Sequence, residues 1–184
     1  MKNASNTANE PRPSDPKSRG LMAASGLKVE TPAPRSAWQD LMVKDIEAVP
    51  YQSPKWTDSV CASGDFADVS RLYTMPDGRR FLLPLERRHG RPAWLSAAHS
   101  LPAAWGMGGV IGDTAASVED LTLIANNIAA LPYLQIRIRP NPRLGNLWDA
   151  AVPLSVTRVD SIAHLLDLAG GFDCDRLAFN ASIR

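Results

Sequence analysis

The chain has 184 residues, 45% hydrophobic and 21% charged, which suits one globular domain with a tail and sets aside wholly disordered and membrane-embedded classes. Twenty Lys and Arg against 19 Asp and Glu leave a net charge of +1, so no basic excess is present to neutralise a phosphate backbone and DNA is not an expected partner. No apolar run reaches the length of a membrane span, and Lys2 is followed by Pro11, Pro13 and Pro16 rather than an apolar signal core, so the cytoplasm is the expected location.

Residues 1 to 36 are rich in Asn, Ser, Pro and charge without apolar periodicity, and are expected to form a disordered tail. Ser36 then reads as the N-cap of a helix running to Glu47, with Trp38, Leu41, Met42 and Ile46 on one face. Ser53-Pro54 opens a second helix, with Trp56, Val60 and Cys61 inward and Gly64 at its end. Two strand-like runs, Val69–Thr74 and Arg80–Leu85, flank Asp77-Gly78, a hairpin signal. Pro92–Ser96 reads as a third strand, and residues 100–113 as a Gly- and Pro-rich loop or irregular strand.

Beyond Ser117 the period becomes helical through Val118, Leu121, Ile124, Ile128 and Leu131, stopped by Pro132. Tyr133–Arg139 alternates as a strand that ends at Pro140-Asn141-Pro142, a short helix covers Leu147–Ala151, and Ala163–Leu168 reads as a late strand closed by Gly170-Gly171. The expected class is α+β, an α/β sandwich whose mixed, largely antiparallel sheet is flanked by helices.

Few residues carry chemistry. Gly106, Gly108, Gly109 and Gly112 fit a dinucleotide fingerprint poorly, because Ile111 stands where a third glycine is needed; they fit either a tightly packed backbone path or a ligand-lining loop. Of the histidines, His89 sits in a turn, His164 in an apolar strand, and His99 before the glycine loop, where it either packs or lines a pocket. Cys61 and Cys174 are far apart and read as buried thiols, and no His/Cys cluster has metal-ligand spacing. Arg79-Arg80 and Arg87-Arg88 bracket a strand, and Arg137 and Arg139 share a strand face; each set is either a solvated rim or an anion holder.

Five motifs in order carry a resemblance: Gln52-Ser53-Pro54-Lys55-Trp56, Leu83-Pro84-Leu85, Trp105-Gly106-Met107-Gly108-Gly109, Arg139-Pro140-Asn141-Pro142, and the run His164–Phe172. Together, over residues 37–184, they resemble the first half of the FemAB-like branch of the GNAT acyltransferases. The resemblance implies two GNAT-like lobes, the second holding the donor, acyl-CoA or aminoacyl-tRNA, and the first shaping the cleft for an acceptor amine. That acceptor is expected to be a small molecule or a cell-wall or polysaccharide precursor. The GNAT donor signature, Arg/Gln-x-x-Gly-x-Gly/Ala, is not found, so no cofactor is expected on this chain. Phe179–Arg184 resembles the start of the segment leading to the second lobe, so the chain is expected to be a first lobe alone, truncated at its C-terminal end. The acceptor site is expected at Trp105, Gly106, Gly108, Arg139 and Asn141, with no catalytic base identified and no metal. A lone lobe is expected to self-associate or to pair with a second GNAT-like lobe. The other reading kept open is a non-catalytic interaction module that pairs with a partner protein.

Overall fold

Alternation in one long hairpin organises the molecule. In the computed structural model, which describes residues 26–102 and 106–163, β2 (Phe66–Asp68) and β3 (Arg71–Thr74) form one arm, and β4 (Arg80–Leu83) and β5 (Glu86–Arg88) the other. Phe66 faces Arg88, Arg71 faces Leu83 and Thr74 faces Arg80, so a single register runs from end to end. Pro84, which has no N–H to donate, interrupts the ladder between the two halves, and the Val69 N–H bridges the gap to the Leu85 carbonyl at 2.9 Å.

Each half of the hairpin builds a four-stranded sheet. β1 (Lys28–Glu30), β3, β4 and β7 (Ile111–Gly112) are antiparallel throughout, in that order. In the second sheet β2, β5 and β6 (Ala97–Ser100) are antiparallel, and β8 (Gln135–Ile138) lies parallel to β6. Both β6 and β7 pair with the same hairpin arm. Between the Leu82–Ile111 and Arg87–Ala98 pairings, five steps along one strand answer thirteen along the other, so eight residues are looped out.

Helices cover both faces, as the alternation of apolar residues requires. Tyr73, Phe81, Leu83 and Val110 pack under α3 (Val118–Ala129) and α4 (Gly145–Ala151) through Leu121, Ile124, Ile128 and Trp148. Leu72, Leu82 and Ile111, one residue out of phase, pack under α1 (Arg35–Lys44) through Trp38 and Leu41. α2 (Pro54–Ala62) continues that layer, burying Pro54, Thr57 and Val60. The result is the α+β class expected, with a mixed arrangement of strands between helices.

Several boundaries differ from the expectation. The ordered chain starts well before residue 37: Lys28–Glu30 pairs with β3, and the Ala33 N–H donates to the buried Ser70 hydroxyl. α1 starts at Arg35 rather than after Ser36, where the Arg35 guanidinium lies over the Trp38 ring and pairs with Asp68. It stops at Lys44, because the Asp45 carboxylate accepts the Glu47 and Gly112 N–H groups; Ile46 is consequently 93% exposed rather than on the buried face. Pro92–Ser96 is no strand: Ala93–Leu95 is a 3₁₀ turn, with the Ser96 hydroxyl donating to the Arg91 and Pro92 carbonyls, and β6 begins at Ala97. In α2, Thr57 takes the buried place expected of Trp56.

The chain divides after Pro153. Described residues of the second unit, 154–163, form neither helix nor strand, and Leu154, Val159 and Ile162 are exposed there. The late strand expected at Ala163–Leu168, the tail before residue 26, Trp105 and Cys174 fall wholly or mainly outside the described residues.

Candidate functional site

The glycines singled out in the sequence form part of a packed knot. A Cβ on Gly106 would lie 2.5 Å from the Tyr51 ring, and one on Gly108 would run into the Ser100 hydroxyl and carbonyl, so both positions exclude any larger residue. The buried Gln52 side chain donates to the carbonyls of Gly108 and Gly109 at 3.0 and 3.2 Å and accepts from the Val49 N–H. The Ser100 hydroxyl accepts from the Gly109 N–H at 2.7 Å. These contacts hold the point where β6 ends and β8 runs on as a single parallel bridge between Gly108 and Pro140.

Asn141 is also buried. Its amide donates to the Glu47 carbonyl at 2.7 Å and its oxygen accepts from the Arg143 N–H. The Arg139 carbonyl accepts from the Gly108 N–H, while its guanidinium is exposed and makes no ion pair among the described residues. Gly106, Gly108 and Asn141 are therefore engaged with neighbouring protein groups, and the structure brings Gly108, Arg139 and Asn141 together through backbone contacts.

An open concavity lies beside this knot. A cleft of about 330 Å³ is bounded by the end of α1 (Lys44 to Glu47), by Phe81, Val110 and Gly112, by Thr114–Ala116, and by Leu144 and Leu147. Its walls are mainly apolar, and its charged lining residues are Lys44, Asp45 and Glu47. Glu47 also pairs with Arg143 at 2.9 Å, so Asn141 and Arg143 fix the rim from behind. An aliphatic chain fits such walls; of the two acids, Asp45 is engaged by the Glu47 and Gly112 N–H groups and Glu47 by Arg143.

The start of α3 adjoins the cleft. A helix N-terminus is a ready anion site when its N–H groups are free. Here Ser117 and Asp120 form a reciprocal capping box, at 3.2 and 3.0 Å. Asp120 also receives the Arg79 fork at 2.5 and 2.8 Å. Burial opposes ionisation of Asp120, but the Arg79 and Ser117 hydrogen bonds outweigh it and keep the carboxyl below its usual range. Glu119 adds a second negative charge in the first turn.

Two further titratable groups, buried Glu86 and half-buried Cys61, lie on the side covered by α2. Glu86 is fully enclosed and accepts from the Thr57 hydroxyl at 2.8 Å and the Leu101 N–H at 3.2 Å. Burial pushes its carboxyl up to about 7. Cys61 is a free thiol that burial, with Asp68 and Glu86 nearby, pushes up to about 11, so it is a poor nucleophile at neutral pH.

Sequence reasoning misses both the cleft and Glu86. The signal for Glu86 is its phase: it lies four residues past Leu82, on the face covered by α1 and α2. Nothing in the sequence joins Asp45 to Thr114–Ala116, because that contact depends on a bond between Asp45 and the Gly112 N–H across 67 residues. Among the described residues no three acid, His or Cys side chains converge to hold a metal ion, and no helix is long and apolar enough to cross a membrane. No family model matches the chain, and neither does any curated protein or solved structure.

Proposed function

We propose that the chain is a FemAB-like lobe of the GNAT type, the acceptor-side half of an N-acyltransferase, which presents an amine and does not itself hold the acyl donor. The observation that carries this reading is the start of α3. The N-terminus of α3, beside the cleft, is closed to an anion such as pyrophosphate by the Ser117–Asp120 capping box and made negative by Glu119 and Asp120. The cleft beside it has apolar walls, and its lining includes the carboxylates of Asp45 and Glu47 together with the ammonium of Lys44.

Order along the chain supports the same reading. Gln52-Ser53-Pro54 starts α2, Leu83-Pro84-Leu85 spans the break between β4 and β5, Gly106–Gly109 leads from the looped-out segment into β7, and Arg139-Pro140-Asn141-Pro142 follows β8. In the complete enzyme the acceptor amine gives up a proton and attacks the carbonyl of acyl-CoA or an aminoacyl ester bound elsewhere; the C–N bond forms as the C–S or C–O bond breaks, and the proton goes to the departing thiolate or tRNA hydroxyl. The acceptor class is an amine carried on a small molecule or on a cell-wall or polysaccharide precursor. A second reading, a non-catalytic interaction module, is favoured by Val43 and Ile46, 86% and 93% exposed beside the cleft.

Amide NMR of the full chain, titrated separately with coenzyme A and with an aliphatic diamine, tests the proposal. The diamine should shift Ile46, Gly112 and Ala115 in a saturable way, and coenzyme A should leave Ser117–Asp120 unmoved. Saturable shifts at the start of α3 with coenzyme A would overturn the acceptor-side assignment. A diamine that leaves the cleft untouched would leave the interaction module as the better reading.

A further inference from the structure

On the opposite face of the sheet from Phe81 and Val110, strand register lines up a row of charge. β6 sets His99 beside Glu86 on one flank and beside Arg137 on the other, and residues directly opposite one another share a face. Arg88, two residues past Glu86, is the diagonal neighbour of His99. Under α2 the row is closed, with Glu86 buried against Thr57. It then emerges into solvent: His99 is half-buried, and Arg88 and Arg137 are exposed.

The two guanidiniums are held. Arg88 lies over the Phe66 ring at 6.0 Å, and the Arg137 Nε donates to the Gln135 side chain at 3.1 Å. The Arg137 arrangement leaves its terminal N–H groups available for an oxyanion, whereas Arg88 leans toward β2 and reaches one beside His99 by swinging off the Phe66 ring. The acids on this face are engaged elsewhere. Glu86 accepts from Thr57 and Leu101, and Asp68 pairs with Arg35 at 2.9 Å and accepts from the Ser70 N–H. The His99 ring has no hydrogen-bond partner among the described residues. Burial, then Arg137 and Arg88, depress its proton affinity, as expected where positive charge lacks a counter-ion.

We infer that His99, Arg88 and Arg137 form a binding site for a phosphate monoester dianion. A carboxylate is satisfied by one guanidinium fork, whereas two forks and an imidazole together match the charge and the three terminal oxygens of a phosphate monoester. The site uses residues that the acyltransferase reading does not, so it stands or falls separately.

The test is NMR of the His99 ring in the full chain, its signals assigned by their loss in H99Q. Phenyl phosphate, inorganic phosphate and acetate are titrated at constant ionic strength. Both phosphates should shift His99 saturably and raise its titration midpoint, since a bound dianion favours the imidazolium. R88Q and R137Q should each weaken binding about fivefold, the scale of an exposed charge-assisted contact. R87Q, which removes the same charge from the other face, should leave it unchanged. Arg137→Lys, which keeps the charge but loses the fork, should also weaken binding and is the variant to read if R137Q melts early. The inference is overturned if His99 shows no saturable shift, if R87Q weakens binding as much as R88Q, or if acetate binds as well as phosphate.

Discussion

Glu86 makes folding stability depend on pH in a direction opposite to that of most surface carboxylates. Its carboxyl is raised from 4.5 to about 7, first by burial, with the Thr57 and Leu101 hydrogen bonds pulling the other way. The folded protein therefore binds this proton more tightly than the unfolded chain does. Between pH 4.5 and about 7 the native state carries more protons at this position, so stability falls as pH rises through that window and is flat on either side. At about 1.4 kcal/mol per pH unit, the loss amounts to about 3 kcal/mol. Glu86→Gln removes the ionisation and keeps the shape: its oxygen accepts from the Leu101 N–H, and its amide donates to Thr57 once that hydroxyl turns. Urea denaturation of both proteins from pH 4 to pH 8 isolates the effect, because every other titrating group cancels in the difference. The variant should match the wild type near pH 4.5 and exceed it by about 3 kcal/mol at pH 8. Parallel curves would refute the reasoning and mean that the buried carboxylate is compensated when ionised.

Three further expectations follow from the geometry. Gln52→Ala strips hydrogen bonds from the Gly108 and Gly109 carbonyls and the Val49 N–H, and should cost about 2 to 3 kcal/mol by denaturant titration; a loss below about 0.5 would mean that water replaces the side chain. Gly108→Ala drives a methyl into the Ser100 hydroxyl and to 2.7 Å from its carbonyl oxygen, so it should destabilise by at least about 2 kcal/mol, seen as a lowered Tm, and an unchanged Tm would show the loop to be loose. Asp120→Asn breaks the Arg79 fork and weakens the capping box; because Arg79 is one-third exposed, about 2 kcal/mol is expected rather than the larger cost of a fully buried pair, and a change within about 0.5 of zero would count against it.

The fold is legible in the sequence wherever local chemistry decides. Asp77-Gly78 marks the hairpin, Ser53-Pro54 caps α2, and Ser117 caps α3 through backbone rules that need no tertiary partner. Local pattern misleads where a distant residue decides. Lys28–Glu30 reads as tail because three residues show no periodicity, yet they close the edge of a sheet whose other strand is more than 40 positions away. Ile46 reads as a core residue, but Asp45 ends the helix before it by bonding to Gly112. For the site, the sequence draws attention to the Gly106–Gly109 segment and to Asn141 without saying whether they touch a ligand or one another. Their partners, Gln52, Ser100 and Glu47, are identified only by contact.

Buried polar groups in this chain gather at the two ends of the looped-out segment, and their placement explains why an eight-residue insertion leaves both sheets in order. Leu101 opens the segment in a left-handed conformation, φ 66°, which a non-glycine residue adopts only at a cost of about 1 kcal/mol or more. Its N–H is taken by Glu86, which Thr57 in turn holds from α2. At the other end Ser100 takes the Gly109 N–H, while Gln52 takes the Gly108 and Gly109 carbonyls from the turn before α2. Both clamps thus reach out from one short stretch, Gln52 to Thr57, whose position the Trp38 indole fixes by donating to the Gln52 carbonyl at 2.7 Å. An apolar core at these positions would fill space equally well but would leave the Leu101 and Gly109 N–H groups and the Gly108 and Gly109 carbonyls buried and unsatisfied. The polar residues are therefore the means by which the sheet tolerates the interruption, and the ionisation cost at Glu86 is the consequence of closing one clamp with a carboxylate rather than an amide.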